Sequence, residues 1–185
     1  MIDDALLEAE EKMDRAVEVA REEMGHIRTG RANAGMFNPI LVDYYGAPTP
    51  LQQLAGITIP EARTVLVTPY DRSSTQAIVK ALRESDLGVN PTDDGHVIRV
   101  VLPALTQERR RDYVRLAKAR GEEARIAIRA VRRRAKEELD RIARDGDAGQ
   151  DEVDRAEKEL EALTRRHVDV VEKILDAKET ELLEV

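Results

Sequence analysis

The sequence contains no cysteine and no tryptophan, and aromatic residues make up only 3% of its 185 positions. Without thiols there are no disulfides and no thiolate to attack a substrate or hold a metal. The absence fits a reducing compartment. No apolar run approaches the roughly 20 residues that a membrane helix needs, so no membrane partner is expected. The first eleven residues carry Asp3, Asp4, Glu8, Glu10 and Glu11. A secretory or transit peptide would be basic and poor in acids there, so the chain reads as cytoplasmic. The three histidines, His26, His96 and His167, lie in separate stretches with no His-x-x-x-His or His-x-His spacing. Glu23 and His26 make one Glu-x-x-His, but a metal site in a helix bundle uses that motif twice. Neither a Gly-x-Ser-x-Gly elbow nor a Walker-type Gly-Lys-Ser/Thr occurs. We therefore expect no catalytic residue, no metal, no cofactor and no enzyme activity.

What the chain has in abundance is charge. Charged residues are 36% of the sequence, with a net of −7, unevenly spread. Residues 1–29 hold 4 Lys/Arg and 9 Asp/Glu, and residues 146–185 hold 6 and 13. Residues 106–145 invert the balance, with 14 and 8. Aliphatic residues and alanine beneath a dense charged surface point to long helices.

Residues 1–29 read as a helix in which Leu6, Met13, Ala20 and Ile27 recur every seven positions, with Val17 and Met24 in a second row. Residues 30–105 hold all seven prolines. There, Ile40–Tyr45 reads as a strand ending in a turn at Gly46, and 47–50 as extended loop. Further strands are predicted at 57–59, 64–68 and 97–102. A helix capped by Ser73 or Ser74 is predicted to run through Ser85, with Ala77, Ile78, Ala81 and Leu82 inward. Residues 106–145 return to helix after Thr106, with an apolar stripe of Ile128, Val131, Ala135, Leu139 and Ile142 and a mild weak point at Gly121. A break at 145–149 precedes a third helix, capped by Asp151, with Val153, Ala156, Leu160, Leu163, Val170, Ile174 and Ala177 inward. Three amphipathic helices satisfy one another as a bundle. The expected fold is α+β: a three-helix bundle of 1–29 and 106–185, with a small β/α/β domain, 30–105, inserted into it. The chain crosses that boundary twice, at Thr29-Gly30-Arg31 and at Pro103-Ala104-Leu105, and these passages are expected to act as hinge linkers.

The basic helix carries the functional signal. At ~100° per residue, Lys118, Arg125, Arg129, Arg132 and Lys136 share a narrow band beside the apolar stripe; Arg111 joins it and Arg133 widens it. Guanidinium forks match paired phosphate oxygens, so the row reads as a phosphate track that recognises backbone and shape. The competing reading is a solvated face whose arginines pair with acids of the other helices. Tyr44-Tyr45 could stack on bases, but strand alternation sends one ring inward and one outward.

Several stretches, taken together, resemble the ribosome recycling factor family over the full length. They are 27–32 (Ile-Arg-Thr-Gly-Arg-Ala), 44–51 (Tyr-Tyr-Gly-Ala-Pro-Thr-Pro-Leu), Gln53-Leu54-Ala55, Asp71-Arg72-Ser73, 85–91 (Ser-Asp-Leu-Gly-Val-Asn-Pro), Ile98-Arg99-Val100, 105–110 (Leu-Thr-Gln-Glu-Arg-Arg) and the run Arg125 to Arg133. The resemblance implies an L-shaped monomer with a mobile small domain. It implies binding to large-subunit ribosomal RNA in the 70S post-termination complex. It also implies that elongation factor G, hydrolysing GTP, splits the subunits with it and frees mRNA and tRNA. The family's contact residues correspond to Arg110, Arg129 and Arg132, with Arg28 and Arg31 near the hinge. Two positions depart from the family pattern: Arg134 stands where an acid is frequent, and Ala104 where a second proline is frequent. The latter should loosen the second linker. Rival readings are a protein-binding coiled-coil adaptor, which predicts salt-insensitive binding to a protein, and a hydrolase in the small domain, for which no polar constellation is seen.

Overall fold

A computed structural model describes residues 1–184. Backbone contacts divide the chain into two compact units, Met1–Thr29 with Gln107–Val185, and Gly30–Thr106. Thr106, expected with the bundle, belongs by these contacts to the small unit.

The first unit consists of α1 (Ile2–Gly25), α4 (Gln107–Arg144) and α5 (Gln150–Leu183). Helix α1 buries Ala5, Ala9, Met13, Val17, Ala20 and Met24. The seam starts one residue earlier than expected: Ala5 and Ala9 enter the core while Leu6 stays at its edge. Alanines let the helices approach closely, which is why the seam passes through them. Helix α4 buries Ala117, Gly121, Ala124, Ile128, Ala135, Leu139 and Ile142, with Val131 half-buried. Gly121 is a close approach rather than a weak point, because a Cβ there would sit 3.2 Å from Leu175 Cδ2.

Between α4 and α5, the Gly146 N–H donates to Ala143 O and the Asp147 N–H to Ile142 O. With Gly146 at φ +72°, this is a Schellman closure. Gly149, not Asp151, occupies the N-cap of α5; Asp151 and Glu152 sit in its first turn and complement the helix dipole there. Helix α5 buries Val153, Ala156, Leu160, Leu163, Thr164, His167, Val171, Leu175 and Leu182. Ala177, expected inward on a 3.5-residue repeat, is exposed. The true period is 3.6, and over 34 residues the difference carries the stripe to Leu175 and Leu182. His167 is packed in the core: its Nδ1 lies 2.8 Å from Leu163 O and its Nε2 2.6 Å from Asp14 Oδ1.

The small unit has a two-stranded hairpin, β1 (Leu41–Tyr44) and β2 (Ala47–Pro50). It also has an antiparallel sheet in the order β3-β4-β6-β5, from β3 (Ala55–Glu61), β4 (Thr64–Pro69), β5 (Thr92–Asp93) and β6 (Ile98–Val101). A single helical turn, α2 (Leu51–Leu54), joins the two. Residues 47–50, expected as loop, are the returning strand β2, with Leu41 opposite Pro50 and Tyr44 opposite Ala47. Tyr45 and Gly46, both at positive φ (50° and 83°), make the tight turn whose twist suits a hairpin. Prolines are tolerated in β2 because a two-stranded ribbon leaves one edge unpaired.

Helix α3 (Thr75–Glu84) covers the core with Ile78 and Leu82, against Phe37, Val42, Val65, Val67, Ile98 and Val100. Its N-terminus is not closed by a serine side chain; Asp71 Oδ1 instead accepts from the Ser73 N–H and Oγ in the preceding 3-10 turn. Those bonds hold the Asp71 carboxyl below the usual carboxylate range, helped by the Tyr44 hydroxyl, which donates to Asp71 Oδ2 at 2.9 Å. Tyr44 is half-buried and Tyr45 is 83% exposed, one ring inward and one outward.

Candidate nucleic-acid interface

Helix α4 runs unbroken for 38 residues, so helical spacing holds along all of it. From Lys118 to Lys136 the row extends about 27 Å at 1.5 Å per residue. The neighbouring stripe, Ala124, Ile128, Ala135 and Leu139, is locked in the bundle core, which fixes how the row is presented. Lys118, Arg129, Arg133 and Lys136 are exposed, as is Arg111; Arg110 is half-buried, nearer the packed side. Arg28, half-buried, precedes Thr29, the last residue of the bundle unit's first stretch, and Arg31, exposed, follows Gly30, the first residue of the small unit. Gly30 itself has φ +81°, and its missing Cβ would stand 3.4 Å from Leu105 Cγ, so within the small unit the two linker passages run side by side. A side chain there would be strained by the backbone alone.

The arginines of the row are not equivalent. The Arg125 side chain is only 16% exposed and binds two carboxylates, Glu122 on its own helix at 2.7 Å and Glu172 on α5. Burial works against its charge, yet those two carboxylates outweigh burial and hold its pKa above the ordinary arginine value. Arg125 is thus committed inside the protein, tying α4 to α5. Arg132 is 41% exposed and meets Glu161 of α5 at 3.6 Å. Arg129 is 51% exposed and lies 4.0 Å from the second oxygen of Glu122. Among the described residues, Arg110, Lys118, Arg133 and Lys136 make no ion pair. Lys136 does stand near enough to Glu157 to favour its charged form, although burial and the Asp140 carboxylate, which accepts a hydrogen bond from the protonated acid, together raise the Glu157 pKa.

Glu161 and Glu172, both on α5, are the residues that sequence reasoning left unnamed; Glu122 was legible as the one acid inside the row between Lys118 and Lys136. A partial signal existed: a chain that reverses at Gly146 runs α5 antiparallel to α4, which sets position 132 against the low 160s, whereas Glu172, the partner of Arg125, lies three turns beyond Glu161 and not the two turns that separate the arginines. No group of three His, Cys, Asp or Glu that could hold a metal is found among the described residues. Nor is any of their helices long and apolar enough to cross a membrane.

Comparison with known proteins gives a consistent family. The family model described as ribosome recycling factor matches residues 20–183. A ribosome-recycling factor from Beutenbergia cavernae is 72% identical over 185 residues, spanning 100% of both chains. The solution structure of a ribosome recycling factor is similar at a TM-score of 0.75 and 42% identity, covering 100% of this chain and 98% of that one. The T. thermophilus ribosome recycling factor, in models with E. coli elongation factor G bound to the E. coli post-termination complex, is similar at a TM-score of 0.65 and 37% identity, with 100% of both chains covered.

Proposed function

The chain belongs to the ribosome recycling factor family, and from that premise we propose that it works as a monomer in the cytoplasm, binding the post-termination 70S ribosome. The bundle lies on RNA of the large subunit, held by Arg129, Arg132 and Arg133 with Lys118 and Lys136. Arg110, Arg28 and Arg31 extend the contact, and Arg125 supports it from within. The small unit, joined through Thr29-Gly30-Arg31 and Pro103-Ala104-Leu105, takes up a push from elongation factor G. Energy comes from GTP hydrolysis by that partner; this chain binds, holds and transmits, without chemistry of its own.

The observation that carries the reading is the exposed row on one uninterrupted helix whose neighbouring stripe is core. Long-range phosphate contacts release counter-ions, so binding falls with salt at a log–log slope of about −0.7 to −0.9 per phosphate neutralised. The direct test is subunit splitting followed by light scattering, with elongation factor G and GTP. Post-termination ribosomes should dissociate only when this chain and hydrolysable GTP are both present. Splitting with a non-hydrolysable GTP analogue at the same rate would contradict the division of labour. At the second linker, Ala104→Pro should reduce motion between the units in NMR relaxation; unchanged mobility would count against the hinge.

A further inference from the structure

Three arginines of the row, Arg125, Arg129 and Arg132, already have carboxylate partners in the free protein, and they are held in two different ways. Arg125 is sequestered between Glu122 and Glu172. Arg132 and Arg129 are held loosely, at 3.6 Å from Glu161 and 4.0 Å from Glu122, with every side chain concerned between 41% and 51% exposed. An exposed pair at that distance is weak and opens readily. A phosphate offers the same guanidinium fork a better partner.

We propose that Glu161 and Glu122 are exchangeable counter-ions of the RNA-binding arginines. They neutralise Arg132 and Arg129 in solution, yield them to phosphates on the ribosome, and reclaim them on release. The inference rests on the RNA-docking reading above. A displaced carboxylate is left beside a phosphate, so each exchange carries a like-charge penalty that a bare arginine would not have. The acids thereby cap the affinity and speed departure, which a factor that must leave its target requires. Arg125 has a positioning part in this. It draws one oxygen of Glu122 to 2.7 Å, and this leaves Arg129 only a long contact with the other.

The test compares equilibrium binding and dissociation on purified 70S ribosomes for the full chain and three variants: Glu161→Gln, Arg132→Ala and both together. Glutamine keeps the shape at a half-exposed site, and helical circular dichroism verifies the fold. Glu161→Gln should tighten binding about threefold and slow dissociation by a similar factor, the scale of one exposed ion pair. The same substitution in the Arg132→Ala background should change neither, because its partner is gone. Unchanged affinity in Glu161→Gln, or equal tightening with and without Arg132, would overturn the proposal: the carboxylate would then be inert, or merely a general negative charge. If Arg132→Ala alone binds like the wild type, the docking reading fails first and takes the counter-ion role with it.

Discussion

Residues 106–145 carry 14 Lys/Arg against 8 Asp/Glu, while residues 30–105, almost twice as many, carry 6 against 7. The difference follows from how each unit is built. In the bundle, one uninterrupted helix of 38 residues is held by a continuous core stripe, so side chains distant in sequence share one face. In the small unit no strand exceeds seven residues, and its geometry is set at turns: Tyr45-Gly46, the Asp71 cap, and Gly95 at φ +97°. Such a unit cannot lay five cations along 27 Å. Packing thus aligns charge in one unit, and turn chemistry shapes a near-neutral body in the other.

Breaking the bundle's packing should give the largest effect. Leu139 is fully buried, and Leu139→Ala should cost about 2–5 kcal/mol in chemical denaturation followed by helical circular dichroism. Gly121 sharpens the same point. Gly121→Val forces α5 away at Leu175 and should cost about 1–3 kcal/mol. Leu175→Ala in the same chain should recover part of that loss, so that the double variant is more stable than additivity predicts. The small unit should respond differently. Nothing lies within 4 Å of a Cβ on Gly46, which has φ +83°. Gly46→Ala should therefore cost only about 1–2 kcal/mol through backbone strain. Gly46→Asn, which tolerates that region, should be close to neutral in the same assay.

The smallest effect belongs to a titration in the bundle. Burial, reinforced by Asp140, raises the Glu157 pKa, so the native state holds this proton more tightly than the unfolded chain does. The charged form is then penalised by folding above the native pKa, and the penalty fades as pH falls through that value. Glu157→Gln should raise the thermal midpoint slightly at neutral pH, and the gain should vanish in acid. A gain that persisted unchanged in acid would assign it to packing instead.

How much of this was legible follows the same division. Met13, Val17, Ile128, Leu139 and Leu160 announced the bundle because large apolar residues at helical spacing have few other uses. Ala5 and Ala9 gave no such signal: alanine suits core and surface alike. Ala177 misled because a 3.5-residue template drifts off the real helix period over a long helix. In the small unit, Val65, Val67, Ile98 and Val100 alternate clearly. Strand β2 was hidden by Pro48 and Pro50, and β5, two residues long, is too short to carry a pattern. The cationic row was visible because it lies on one helix, where spacing alone fixes direction. That Arg125 is locked while Arg129 and Arg132 are only loosely held was not visible, because it depends on which arginine takes Glu122 of α4 and on which acids of α5 come opposite.

On the proposed function, the exposed part of that row docks the chain on ribosomal RNA. The most direct measurement is co-sedimentation with 70S ribosomes at low and high salt, wild type beside Arg129→Ala/Arg132→Ala. The wild type should pellet at low salt and be released at high salt. The double variant should lose about 1–2 kcal/mol of affinity per arginine while keeping its helical signal. A double variant that pellets like the wild type, or wild-type binding insensitive to salt, would contradict it.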